Sequence, residues 1–140
     1  MINRLVLESL TNKKLRFIIH EHHAVKAGLH YDLRLEHNNK LISWATRKLP
    51  ELVNNPNHQK ILLIKQPDHE MDWFNFSGEI ESGYGKGEVK IWDSGIYDLI
   101  YWDDKKIIVK FNGKKINSKY TIVKPSTFDD KPTHYLMFKS

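Results

Sequence analysis

His30-Tyr31-Asp32-Leu33-Arg34-Leu35-Glu36 decides how the rest of this 140-residue chain is read. Successive side chains of a β-strand point to opposite faces, so His30, Asp32, Arg34 and Glu36 share one face and Tyr31, Leu33 and Leu35 the other. The second set is a core stripe, and the first is a row of chemistry. A histidine and a carboxylate two residues apart on a rigid strand can reach one metal ion, and the guanidinium beyond them can grip an anion bidentately. The combination points to metal-assisted work on a phosphate; the plainer alternative is a strand with a solvated polar face.

The flanking sequence supplies further strands. Residues 16–23 alternate, with Phe17, Ile19 and Glu21 on one face and Ile18, His20 and His22 on the other. The turn His37-Asn38-Asn39-Lys40 leads into a strand at 41–46, so 30–46 reads as a hairpin. A polar loop with room for one short helix follows over 49–57. A buried strand is expected at 60–65, ended by Pro67, with Asp68, His69 and Glu70 in the loop beyond. Residues 72–76 are densely aromatic, and the glycines between 78 and 87 around Tyr84 mark a structural turn. Residues 88–92 alternate, Asp93-Ser94-Gly95 reads as a hairpin turn into 96–101, and more strands are expected at 107–111, 120–123 and 135–138. The large aromatics Trp44, Trp73, Phe74, Phe76, Trp92 and Trp102 are expected in the core. Should one of them stack on a terminal base, Trp73 or Phe74 is the candidate.

This pattern predicts a mainly β chain: a compact closed or nearly closed β-barrel of about eight to ten short strands with one or two short helices. Residues 1–15, with Leu5, Leu7 and Leu10, read as an N-terminal arm, and 16–140 as a single domain.

Composition narrows the chemistry. There is no cysteine, so any metal must be held by His, Asp or Glu. No apolar run approaches a membrane span and no signal-peptide core follows Met1, which predicts a soluble, cytoplasmic protein. Lys and Arg number 22 against 17 Asp and Glu, a net charge of +5, which suits a nucleic-acid partner better than a membrane. His20, His22, His23, His30 and His37 crowd into the first third of the chain, where a metal or phosphate site is favoured over scattered solvated imidazoles.

Taken together, several segments resemble the 3′-phosphoesterase domain of bacterial DNA ligase D and its free-standing archaeal relatives. They are His22-His23-Ala24, Leu29 through Glu36, Ser43-Trp44-Ala45 with Lys48, Asp68-His69, Asp72-Trp73-Phe74-Asn75-Phe76-Ser77-Gly78, Gly83-Tyr84-Gly85-Lys86-Gly87 and Trp92-Asp93-Ser94-Gly95, with the closing strands to Lys139. The resemblance implies a β-barrel that uses Mn²⁺ to process DNA or RNA 3′ ends. A terminal ribonucleoside is removed to leave a 3′-phosphate, which is then hydrolysed to a 3′-hydroxyl. It implies His22, His30 and Asp32 as metal ligands, Arg34 and His69 on the scissile phosphate, and Lys48 assisting. The same ligands also suit Zn²⁺ or another divalent ion. His69 would protonate the departing 3′ oxygen.

The sequence departs from the family at named places. The spacing from His22 to His30 is longer than usual, by an insertion around Lys26-Ala27, which leaves His20 and His23 as alternative first ligands. Trp73 stands where a phosphate-contacting tyrosine is usual, Pro67 replaces an acidic residue, and the N-terminal arm is reduced. Trp73 and the shifted histidine spacing motivate an alternative function, a non-catalytic nucleic-acid-binding barrel that has lost turnover. On the first reading the partners are primer-template 3′ ends, with a DNA ligase and a polymerase acting in trans on a monomer.

Overall fold

The computed structural model describes residues 14–55, 57 and 60–140. Leu5, Leu7 and Leu10 lie outside the described residues. Nine strands form one antiparallel sheet: β1 (Leu15–Ala24), β2 (Gly28–His37), β3 (Lys40–Thr46), β4 (Ile61–His69), β5 (Gly78–Ile80), β6 (Gly87–Trp102), β7 (Lys106–Asn112), β8 (Lys119–Val123) and β9 (His134–Lys139). The order β1-β2-β3-β4-β9-β8-β7-β6 is closed by pairing of β6 with β1, which makes an eight-stranded barrel, and β5 adds to the free side of β6. Closure leaves those eight strands without a bare edge. One short helix, α1 (Leu49–Asn54), and two 3₁₀ segments, Met71–Asn75 and Ser126–Phe128, complete the described chain.

The barrel is filled by the stripe that alternation assigns to the core. Phe17, Ile19, Leu33 and Leu35 are fully buried with Trp44, Leu63, Val109, Phe111 and Ile122. Phe17 and Phe111 meet edge-to-face at 4.9 Å across the interior. The hairpin turn is two residues, Asn38 and Asn39, both at positive φ. It sets Arg34 opposite Ser43 and Asp32 opposite Ala45. Pairing of β1 with β2 sets His20 opposite Asp32 and His22 opposite His30. His20, His22, His30, Asp32, Arg34 and Ser43 are thus gathered on the outer face of three adjacent strands.

Three expectations are corrected. Asp93-Ser94-Gly95 is not a turn; it lies inside the 16-residue β6, which bends at bulges against β1 and β7. The Asp93 carboxylate instead accepts the backbone N–H groups of Ser94, Lys114, Lys115 and Ile116, and so holds the β7–β8 connection. Pro67 does not end its strand. β4 runs on to His69, with an extra residue opposite Ile42, and such an irregularity tolerates a proline that cannot donate. Of the six aromatics, Trp44 is in the core and Trp92 and Trp102 pack against it, whereas Trp73, Phe74 and Phe76 sit half-buried in and beside the 3₁₀ segment outside the barrel.

Replacing Asp93 by alanine would take their acceptor from the N–H groups of 114–116, of which that of Ile116 is buried and those of Lys114 and Lys115 part-buried. The expected cost is about 3 kcal/mol and a melting temperature lower by on the order of 10 °C, read by thermal denaturation. A variant that melts with the parent would show that water replaces the carboxylate.

Candidate active site

His22, His30 and Asp32 present ligand atoms that all lie within 4.8 Å of one another, the single such group of histidines and acids among the described residues. His22 Nδ1 is 3.6 Å and His30 Nε2 3.5 Å from the same oxygen of Asp32. Each imidazole is fixed from behind. His22 donates through Nε2 to the carbonyl of Gly85 at 2.7 Å, and His30 donates through Nδ1 to the carbonyl of Gly28 at 3.1 Å. The opposite nitrogen of each ring faces the carboxylate, donating to it when the ring is protonated and offering a lone pair to an ion when it is not, and the backbone carbonyls behind are the outer partners that orient metal-binding histidines. Two neutral imidazoles and one carboxylate therefore fit a divalent ion, though such a donor set alone does not choose between Mn²⁺ and Zn²⁺.

The other two histidines considered for the first ligand are engaged elsewhere. His23 lies on the opposite face, half-exposed, 2.6 Å from Glu21. His20 is fully buried, donates through Nε2 to the carbonyl of Phe76 at 2.9 Å and accepts from Arg34 Nε at 3.1 Å. Its role is to hold Arg34. The guanidinium also donates from one terminal nitrogen to Ser43 Oγ at 3.0 Å and to His69 Nδ1 at 3.1 Å. Its other terminal nitrogen lies 3.6 Å from Asp32. Nε and one terminal nitrogen of Arg34 are thus held by three side chains, and the other terminal nitrogen faces the cluster.

His69, at the end of β4, and Trp73, on the 3₁₀ segment, complete one wall. Their rings meet edge-to-face at 5.3 Å, and the Arg34 guanidinium lies 5.9 Å from the indole centroid. Residues of β5 and of the turn at 83–86 form the facing wall, with Ile80, Tyr84 and Gly85 lining the cavity. The enclosed volume is about 240 Å³ and contains His22, His30, Asp32, Arg34, His69 and Trp73. Lys48 is not among them; it is exposed just before α1 and lines an adjoining cavity.

Charges in the site interact strongly. Burial works against the Asp32 carboxylate, but hydrogen bonds from His22 and His30 and the Arg34 charge outweigh it and hold Asp32 well below the usual carboxylate range. The hydrogen bond to Asp32 raises His22, with burial opposing. Burial, reinforced by Arg34, lowers His69. The same two causes push His20 down to about 4, so it is neutral in the folded protein. The unfolded chain takes up that proton near pH 6.5, so the His20 contribution to stability is complete above that pH and is lost as pH falls from about 6.5 to about 4. It is worth about 3 kcal/mol at most. Because the raised pKa of His22 works in the opposite sense, the test compares the EDTA-treated parent with His20→Gln, whose side chain offers one acceptor and one donor but does not titrate. The variant should lose less stability between pH 6.5 and pH 4 in urea titrations; an equal loss would place the proton uptake elsewhere.

Sequence reasoning identified the face but not every member. Ser43 follows from the two-residue turn, which sets it opposite Arg34. The carbonyls of Phe76, Gly85 and Gly28 carried no signal, since any residue supplies a carbonyl.

Comparison with known proteins bears on the same segment. A family model described as the DNA ligase D 3′-phosphoesterase domain matches residues 20–124, which include every side chain of the cavity. The chain is 41% identical over 114 residues to the multifunctional non-homologous end joining protein LigD of Mycobacterium bovis, covering 77% of this chain and 14% of that protein. It is 36% identical over 126 residues to LigD of Mycolicibacterium smegmatis, 81% of this chain and 16% of that protein. LigD of Pseudomonas aeruginosa is 33% identical over 118 residues, 79% of this chain and 13% of that protein. The chain thus spans about one-seventh of the length of the relatives it matches.

Proposed function

The chain belongs to the DNA ligase D 3′-phosphoesterase domain family, and from that premise we propose that it is a metal-dependent phosphoesterase that prepares nucleic-acid 3′ ends for joining in DNA repair. It removes a 3′-terminal ribonucleoside to leave a 3′-phosphate and hydrolyses the 3′-phosphate to a 3′-hydroxyl. The observation that supports this reading is the pair of imidazoles, His22 and His30, each locked by a backbone carbonyl so that its other nitrogen faces Asp32.

His22, His30 and Asp32 hold the ion, Mn²⁺ by family resemblance, and when bound it supplies a Lewis acid to the phosphoryl oxygens. The remaining terminal nitrogen of Arg34 receives an equatorial oxygen and needs no reorganisation, because His20, Ser43 and His69 already hold the guanidinium. His69 starts neutral, since burial and Arg34 depress its pKa. A phosphate seated against Arg34 offsets that positive charge, raises His69 and readies it to protonate the departing oxygen. Trp73 packs on both groups and keeps water from that side. The product ends would pass to a ligase and a polymerase.

The test uses a 5′-labelled primer on a longer template, ending in one ribonucleotide or in a 3′-phosphate, with EDTA, Mn²⁺, Mg²⁺ or Zn²⁺. Conversion to a 3′-hydroxyl with Mn²⁺ and none in EDTA is the expected result. Binding of the primer without product under every metal would leave the alternative, a nucleic-acid-binding barrel.

A further inference from the structure

Beside the metal cluster lies a second cavity, of about 680 Å³, that shares Ala27, His30, Gln66 and Tyr84 with the first. Its floor follows from the pairing of β3 with β4. Ala45, too small to fill the space, stands opposite Ile64, and Leu62 two residues away on the same face is 44% exposed. Leu62, near the start of β4, and the half-buried Ile64 and Ala45 thus give the cavity a continuous apolar floor. At the seam between the cavities stands Tyr84, 72% exposed on its glycine-flanked turn.

The rim is cationic: Arg47, Lys48 and Lys60 line the cavity, and no aspartate or glutamate does so among the described residues. Arg47 is occupied, donating to the carbonyls of Ala27 and Leu29 and so bracing the β1–β2 turn. Lys48 and Lys60 have no carboxylate partner among the described residues. An apolar floor, one exposed aromatic ring and two uncommitted ammonium groups match a single nucleic-acid strand, which offers base and sugar faces together with one phosphate per nucleotide.

We propose that this cavity receives the nucleotides immediately 5′ of the reacting phosphate as a single strand, with a base on Tyr84 and backbone phosphates at Lys48 and Lys60. The inference rests on the phosphoesterase reading for the position of the reacting phosphate. It adds a direction: the retained strand leaves the cluster past Tyr84, because only that strand carries further phosphates to pair with the lysines. The cation on the other side, Arg34, is already committed.

Two measurements on the whole chain test this. The first is KM for 3′-phosphorylated oligonucleotides of increasing length, from a mononucleotide upward, with Mn²⁺. KM should fall about tenfold as the first added nucleotides fill the cavity, and Tyr84→Ala and Lys60→Glu should flatten that fall. The second is photocrosslinking in EDTA of a 3′-phosphorylated oligonucleotide carrying 4-thiothymidine as its last base, which needs no turnover. An adduct on the peptide containing Tyr84, lost on competition with unlabelled strand, is expected. An adduct on the Trp73 peptide, no adduct, or a length dependence that both variants leave intact overturns the assignment. Absence of turnover with a Tyr84 adduct would overturn the phosphoesterase reading and keep the strand path. Turnover without that adduct would do the reverse.

Discussion

Asp32→Asn is expected to abolish turnover and to weaken divalent-metal binding by more than about 100-fold, beyond the range typical of residues that only orient a ligand. Asparagine keeps the shape of the side chain but removes the charge on which His22, His30 and Arg34 converge. The variant also separates ligand loss from unfolding. Alanine would leave Arg34 and two histidines around a void, whereas the amide can still accept a hydrogen bond from the guanidinium. Titration calorimetry with Mn²⁺ and Zn²⁺, beside the primer assay and a melting curve, reads the three effects independently. Parental metal affinity in a folded Asp32→Asn protein would remove Asp32 from the ligand set.

Gly87→Ala should produce the largest loss of stability. A methyl group there would lie 2.1 Å from the carbonyl oxygen of His23 and 2.9 Å from Ala24 Cα, and the residue sits at φ +148°, where side chains are strained. Both obstacles are backbone, so no side-chain rotation relieves them. Gly87 pairs with Ala24 of β1 on one side and Ile80 of β5 on the other, at the seam that closes the barrel. Forcing the seam apart should cost more than about 4 kcal/mol in chemical denaturation. It should weaken metal binding as well, because the adjacent turn supplies the Gly85 carbonyl that orients His22. Gly83→Ala is the control. Its φ is +88°, but no atom lies within 4 Å of the added methyl group, so only backbone strain of about 1 kcal/mol applies. Similar losses in the two variants would rule out the close approach of β1 as the cause.

The hairpin was legible because its signals are local. Alternation over 30–36 and the Asn38-Asn39 turn are enough to put Ser43 beside Arg34 and to separate core from chemistry. The closing strands near the C-terminus were legible for the same reason. The family resemblance came from the order of several motifs along the chain. What failed to read were features set by distant backbone. Asp93-Ser94-Gly95 has turn composition, yet its carboxylate serves N–H groups at 114–116 that no local window contains. Pro67 looks like a strand end unless the irregular pairing with β3 is known. His20 shares a face with His22 and has the same claim to a metal by alternation. Only the approach of the Phe76 carbonyl, 56 residues away, and of Arg34 engages both its nitrogens.

The division of β2 into inward and outward residues has an evolutionary consequence. Tyr31, Leu33 and Leu35 answer to the packing of the barrel, and His30, Asp32 and Arg34 to the groups outside it, so the two interleaved sets are under separate selection. Ala45, Leu62 and Ile64 belong to the outward set, and exchanging them changes what the surface recognises with little effect on the folded interior. A lineage or a combinatorial library could retarget such a barrel by varying alternate positions of β3 and β4, while the hydrophobic interior stays fixed as inherited scaffold.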